Sequence, residues 1–165
     1  MTGVLKDLPR MLPAHQVTML KFIKNLSMLS STHEALQNSN AIDTLIELFK
    51  STTNQKNHRD IANQVLPTMY NLCRHNKSRQ EEAALSEVIP LLKETISPRY
   101  THLKDFAMPI LCELAHSGKV ARKMLWDAKG LQFYIDMLAD RNWQVTALDA
   151  IFVWCVHLDY SVFSV

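Results

Sequence analysis

The sequence predicts an all-α protein, a right-handed α-solenoid of about three and a half repeats. Three observations predict it. Landmark triplets recur along the chain: Asn25-Leu26-Ser27, Asn71-Leu72-Cys73, Glu113-Leu114-Ala115 and Cys155-Val156-His157. Leu26, Leu72, Leu114 and Val156 therefore follow one another at 46, 42 and 42 residues. A second landmark keeps step, Ala41-Ile42, Val88-Ile89 and Gly130-Leu131, at 47 and 42 residues. The polar stretch at 51–57 carries the surplus that lengthens the first unit. Finally, only 3 glycines in 165 residues are too few for a β protein full of tight turns.

A helical period near 42 is that of armadillo and HEAT repeats. Each unit then reads as a short, a medium and a long helix within one domain spanning 1–165. The boundaries fall at 1–30 (a partial first repeat), 31–76, 77–118 and 119–160, with an irregular tail at 161–165. In order along the chain, 14–29 is an isolated long helix with Val17, Leu20, Ile23 and Leu26 on its apolar stripe. Thr32 is placed to cap a short helix over 34–37. A medium helix over 41–50 carries Ile42, Leu45, Ile46 and Phe49, and Ser51-Thr52-Thr53-Asn54 breaks it. A long helix over 60–74 follows, with Ile61, Val65, Leu66, Met69 and Leu72 apolar.

The next unit repeats this over 78–86, 89–96 and 103–115. Pro90 lies near the start of its medium helix, where a missing N–H costs least, and Ser97-Pro98 ends it. The last unit has helices over 120–128, 131–138 and 143–158. Pro67 and Pro109 are 42 residues apart, each four residues before a landmark, and predict a kink at matching sites in two long helices.

Composition narrows function. Lys and Arg number 18 against 16 Asp and Glu, a balance that argues against a dedicated nucleic-acid binder. The most apolar run, 147–158, is too short to span a bilayer and contains Asp149. The first 16 residues lack the apolar stretch of a signal peptide. Cys73, Cys112 and Cys155 are an odd number without a C-x-x-C spacing, the pattern of reduced, mostly buried thiols in an intracellular protein, cytoplasmic or nucleoplasmic.

Catalytic constellations are sought without success, so no enzyme activity, cofactor or metal is expected of this chain. His58-Arg59-Asp60 imitates the kinase catalytic loop H-R-D-L-x-x-x-N, but the asparagine is missing at its position and no glycine-rich loop or D-F-G accompanies it. The triplet instead opens a long helix, with Asp60 as a first-turn acid. His75, His116 and His157 recur near the ends of long helices, where they are expected to face the terminal carbonyls. Two basic clusters, Arg74-His75-Lys77-Arg79 and Lys119-Arg122-Lys123, read as solvated repeat edges.

In such solenoids the long helices line a concave groove, and an asparagine there can pair with a strand-like peptide backbone through both amide donor and acceptor. The spacing puts Val17, Lys21 and Asn25 on the first row of that groove. Asn63, Pro67 and Asn71 form the second, and Asp105, Pro109 and Glu113 the third. Ala147, Ile151 and Cys155 make the fourth. The candidate binding residues are Lys21, Asn25, Asn63, Pro67, Asn71, Asp105, Pro109 and Glu113. Asparagine occupies the ladder position at Asn25 and Asn71, then gives way to Glu113 and Cys155. The position four residues earlier, a tryptophan in nuclear-import receptors, holds Lys21, Pro67, Pro109 and Ile151, which argues against that class.

Particular blocks resemble a narrower family: M-L-K-F-I-K-N-L-S-M-L-S-S-T at 19–32, A-L-Q-N-S-N-A-I at 35–42, L-C-E-L-A-H-S-G-K-V at 111–120, K-G-L-Q-F-Y-I at 129–135 and W-Q-V-T-A-L-D-A-I-F-V-W at 143–154. They are similar to the armadillo-like region of fungal septation-initiation and mitotic-exit serine/threonine kinases, relatives of plant epsilon-class MAP-kinase-kinase-kinases. The resemblance covers roughly residues 14–154. It implies a non-catalytic interaction module, a fragment of a kinase that acts with a small Ras-like GTPase and a spindle-pole scaffold at division. The alternative is a free-standing adaptor that binds extended peptides through Asn25 and Asn71. After Trp154 the chain departs from the family's polar continuation. The expectation there is a truncated or alternatively spliced product, with an apolar C-terminal end open to self-association.

Overall fold

The computed structural model describes residues 2–96 and 102–156. Among the described residues there is no strand. The helices are α1 (Thr2–Asp7), α2 (Pro13–Ser27), α3 (His33–Asn38), α4 (Ala41–Thr52), α5 (His58–Cys73), α6 (Lys77–Leu85), α7 (Val88–Thr95), α8 (Lys104–Ala115), α9 (Lys119–Asp127), α10 (Gly130–Met137) and α11 (Gln144–Val156). Short 3₁₀ turns at Leu8–Arg10 and Ser30–Thr32 link the first of them. From α3 onward the helices come in three triplets, each ending on its longest helix. Only the first is short–medium–long, since α6 and α9 have 9 residues against 8 in α7 and α10. Long helices stack in series, α2 on α5, α5 on α8 and α8 on α11, and each medium helix backs its own long one.

The corners between short and medium helices repeat a backbone device. Asn40, Glu87 and Lys129 stand immediately before α4, α7 and α10, and all three are left-handed, with φ of 61°, 65° and 56°. They keep the spacing of the second landmark. A left-handed residue turns the chain sharply, and side-chain-bearing residues tolerate it singly at about 1–2 kcal/mol each. At Gly130 a β-carbon would meet the Leu125 carbonyl oxygen at 2.9 Å. The corner is so tight there that glycine follows the left-handed residue.

One apolar core runs through the stack. Leu45, Leu72, Leu92, Leu114 and Leu125 are fully buried, one or more from each unit; burying each contributes about 1.5–3 kcal/mol. The core extends into α1, which sequence reasoning missed: Leu5 and Leu8 are buried and α1 packs against α4.

Several expectations need correction. Thr32 makes no capping bond; its hydroxyl donates to the Leu26 and Leu29 carbonyls at 2.6 and 2.8 Å. The side chain that caps is Asn76, which accepts from the Arg79 N–H at 2.9 Å at the start of α6. Helix α4 continues through Ser51 and Thr52, since both hydroxyls bond back to the Leu48 carbonyl within the last turn. By contrast, Pro67 and Pro109 lie inside the long helices α5 and α8, as expected. Ser97 and Pro98 lie outside the described residues, as do His157 and the tail.

Candidate functional site

The long helices that carry the predicted groove rows pack in series, and the structure shows what each polar residue holds. On α2, Lys21 and Asn25 are exposed. On α5, Asn71 is half-buried and its amide donates to the Ser27 hydroxyl of α2 at 3.0 Å. Asn63, one end of the same helix, meets the His102 ring at 2.8 Å. On α8, Asp105 is exposed, whereas Glu113 reaches back to the preceding unit. Its carboxylate accepts from the His75 backbone N–H at 3.0 Å and from the Gln80 side chain at 2.8 Å. Pro67 and Pro109 are half-buried on the same faces. Val17 and Ile151 pack against the core, Ala147 is buried, and Cys155 is exposed.

The rings of His75 and His116 do not face carbonyls. The His75 ring lies 3.8 Å from the Glu113 carboxylate and the His116 ring 2.9 Å from that of Asp149, each on the following long helix. His75 also has a left-handed backbone (φ 58°), so its N–H points at Glu113 instead of continuing α5. Only the His116 ring is within hydrogen-bond distance of its carboxylate, which is a stronger acceptor than a carbonyl.

The first basic cluster is only partly solvated. Arg74 lies over the Tyr70 ring, 5.8 Å from its centroid. Arg79 spans the junction, bonding the Gln37 side chain at 3.1 Å, the Leu72 carbonyl at 3.0 Å and the His33 ring at 3.2 Å. In the second cluster Arg122 bonds the Ser117 carbonyl. Two clefts open beside these ties. One is lined by Ser27, Met28, Ser30, His33, Asn71 and Arg74, the other by His75, Lys77, Gln80, Glu113 and His116. They sit at successive junctions, since Asn71 and Arg74 recur as Glu113 and His116 one repeat later.

The kinase-like triplet at 58–60 is the first turn of α5. His58 is buried, stacked on Phe49 with ring centroids 4.9 Å apart, and bonded to the Thr52 hydroxyl at 3.2 Å. Burial holds its imidazole below the usual histidine range. The thiols of Cys73 and Cys112 are buried, which pushes each up to about 12, while Cys155 is exposed. Buried, protonated thiols are poor nucleophiles and metal ligands.

The fold and its cross-unit ties define a stacked all-helical protein. More particularly, the chain is related to proteins of cell division and to plant kinases. It is 62% identical over 151 residues, 92% of its length, to cytokinesis protein sepH of Emericella nidulans. It is 37% identical over 135 residues to cell division control protein 7 of Schizosaccharomyces pombe, and 35% over 137 residues to MAP3K epsilon protein kinase 1 of Arabidopsis thaliana. It spans about a tenth of the length of these relatives: 11%, 13% and 10% respectively. No protein-family profile matches the chain. A crystal structure of an engineered protein, Northeast Structural Genomics Consortium target OR329, shares the fold with a TM-score of 0.71 at 15% identity, over 93% of this chain and 61% of that one.

Proposed function

We propose that this chain is a non-catalytic protein-interaction segment of the septation and cytokinesis machinery, folded as one armadillo-type right-handed solenoid. The observation that carries this reading is the match itself: nearly the whole chain corresponds to about a tenth of a cytokinesis protein. Phosphotransfer then belongs to other parts of such proteins. No helix among the described residues is long and apolar enough to cross a membrane. The match to a cytokinesis protein directs the search for a partner to proteins of the cytoplasm and division site. By resemblance that partner is a small Ras-like GTPase or a spindle-pole scaffold.

The groove is the proposed contact surface, with unequal roles for its residues. Lys21, Asn25 and Asp105 are free to meet a partner. Asn63, Asn71 and Glu113 hold the units in register, and Pro67 and Pro109 shape the floor between them. The test places a photo-crosslinking residue at Asn25 or Asp105 and, as a control, at Glu94 on α7, in cells that septate. Cross-links to a septation protein from the first two positions and not the third support the reading. Equal labelling from all three, or none, contradicts it.

A further inference from the structure

Among the described residues, one face of the last unit is apolar and exposed. On α11, Val145, Leu148, Phe152 and Val156 are between 58% and 74% exposed, at i, i+3, i+7 and i+11, so they form one stripe along a single side of the helix. In the same unit Trp126, Leu131 and Ile135 line a shallow cleft between α9 and α10. Isolated apolar residues on a surface are ordinary, but a stripe running the length of a helix marks a contact surface.

The repeat says what kind of contact. Forty-two residues earlier, the stripe positions are Leu103, Phe106, Ile110 and Leu114 of α8 and the turn before it; 42 earlier again they are Ile61, Gln64, Thr68 and Leu72 of α5. In both earlier units the first, third and fourth are at most 2% exposed, and the second is half-buried. Helices α5, α8 and α11 each have their own medium helix and a preceding long helix against them. What α5 and α8 have and α11 lacks is a following unit. The cleft tells the same story. Ile135 corresponds to Lys93, whose ammonium donates to the Ala128 carbonyl of the next unit at 2.6 Å, and to Ile46, which is buried.

We infer that this face seats a further three-helix unit of the same kind, supplied in cis in the longer protein. Its long helix lies along the Val145–Val156 stripe and its short helix beside the Trp126–Ile135 cleft, as α9 lies on α6. The sepH relative, of which this chain spans 11%, has ample length for it.

The experiment compares the 165-residue chain with the same chain continued through the next repeat length of the Emericella nidulans sepH sequence beyond the matched stretch. Thermal unfolding is followed for each with Phe152, Phe152→Asp and the milder Phe152→Ser. The inference expects Phe152→Asp to move the melting temperature of the 165-residue chain by less than about 2 °C, as for an exposed site. In the continued chain it should lower the melting temperature by about 5 °C or more, with Phe152→Ser intermediate, because a charge is then forced against an apolar partner. Equal, small shifts in both chains overturn the inference. A large shift already present in the monomeric 165-residue chain assigns the face to its own residues and also overturns it. So does sedimentation showing that the 165-residue chain pairs through this stripe, which gives the face to a second copy.

Discussion

Glu113 was read from the sequence as an acidic rung of a groove, and the structure makes it a tie between units; the two roles predict different energetics. Replacing Glu113 with Ala removes the acceptor for the His75 N–H and for one of the two bonds made by the Gln80 amide, which keeps its bond to the Cys73 carbonyl at 2.9 Å. Hydrogen bonds to a charged group contribute about 1.5–3 kcal/mol each when buried. The Glu113 side chain is 27% exposed, so water recovers part of that, and a total loss of about 2–3 kcal/mol follows. At about 2–4 °C per kcal/mol for a chain of this size, the melting temperature falls by about 4–12 °C. Glu113→Gln keeps an acceptor oxygen without the charge and should lose about half as much. The assay is thermal and urea unfolding followed by helical circular dichroism. A Glu113→Ala variant within about 0.5 kcal/mol of the parent, the range of an ordinary surface change, would refute the tie.

Further outcomes follow from the buried groups. The His58 imidazole is held below its ordinary value by burial, so its contribution is present above about pH 6.5 and is lost as pH falls through the lowered value; melting temperatures should drop between pH 7.5 and 5, and less so in His58→Asn. Cys73 and Cys112 are raised to about 12. Their contribution is complete below about pH 9 and declines as pH rises toward 12, so alkaline unfolding should shift upward in a Cys73→Ala, Cys112→Ala variant when each curve is normalised to its own neutral stability. A thiol reagent at neutral pH should label one cysteine rapidly, Cys155, and the other two only on unfolding. Tyr134 is fully buried and its hydroxyl donates to the Leu111 carbonyl at 2.6 Å; Tyr134→Phe should destabilise by about 1 kcal/mol in urea titrations.

Much of the helix order was legible because apolar periodicity is a local signal repeated three times. The expected helices from 14–29 to 143–158 coincide with α2 to α11 to within a few residues, the ordinary uncertainty of helix ends. Helix α1 escaped because it is only six residues long and Pro9 and Pro13 follow closely, leaving too short an apolar pattern (Val4, Leu5, Leu8) to show a helical period. The cross-unit ties escaped for a different reason. Asn71 and Ser27 are 44 residues apart, Arg79 and Gln37 42, and Arg79 and His33 46. No local propensity encodes such a pair. Writing successive units beneath one another and matching polar residues about one repeat apart would have found these three, but not the ties of Glu113, whose partners His75 and Gln80 lie 38 and 33 residues away. The histidine assignment failed because it considered only the helix that carries each ring, when the nearest acceptor lies on the next one.

The central claim is that this chain serves as an interaction segment within cytokinesis proteins, and an exchange tests it most directly. In Emericella nidulans, the matched segment of sepH is deleted, and then replaced by this chain through residue 156. Septa are counted per hypha, with sepH protein level measured in each strain. The account predicts that deletion abolishes septation while the protein persists, and that this chain restores it, whereas a Lys21→Glu, Asn25→Ala, Asp105→Lys version does not. Normal septation in the deletion strain would contradict the account, as would full rescue by the triple variant.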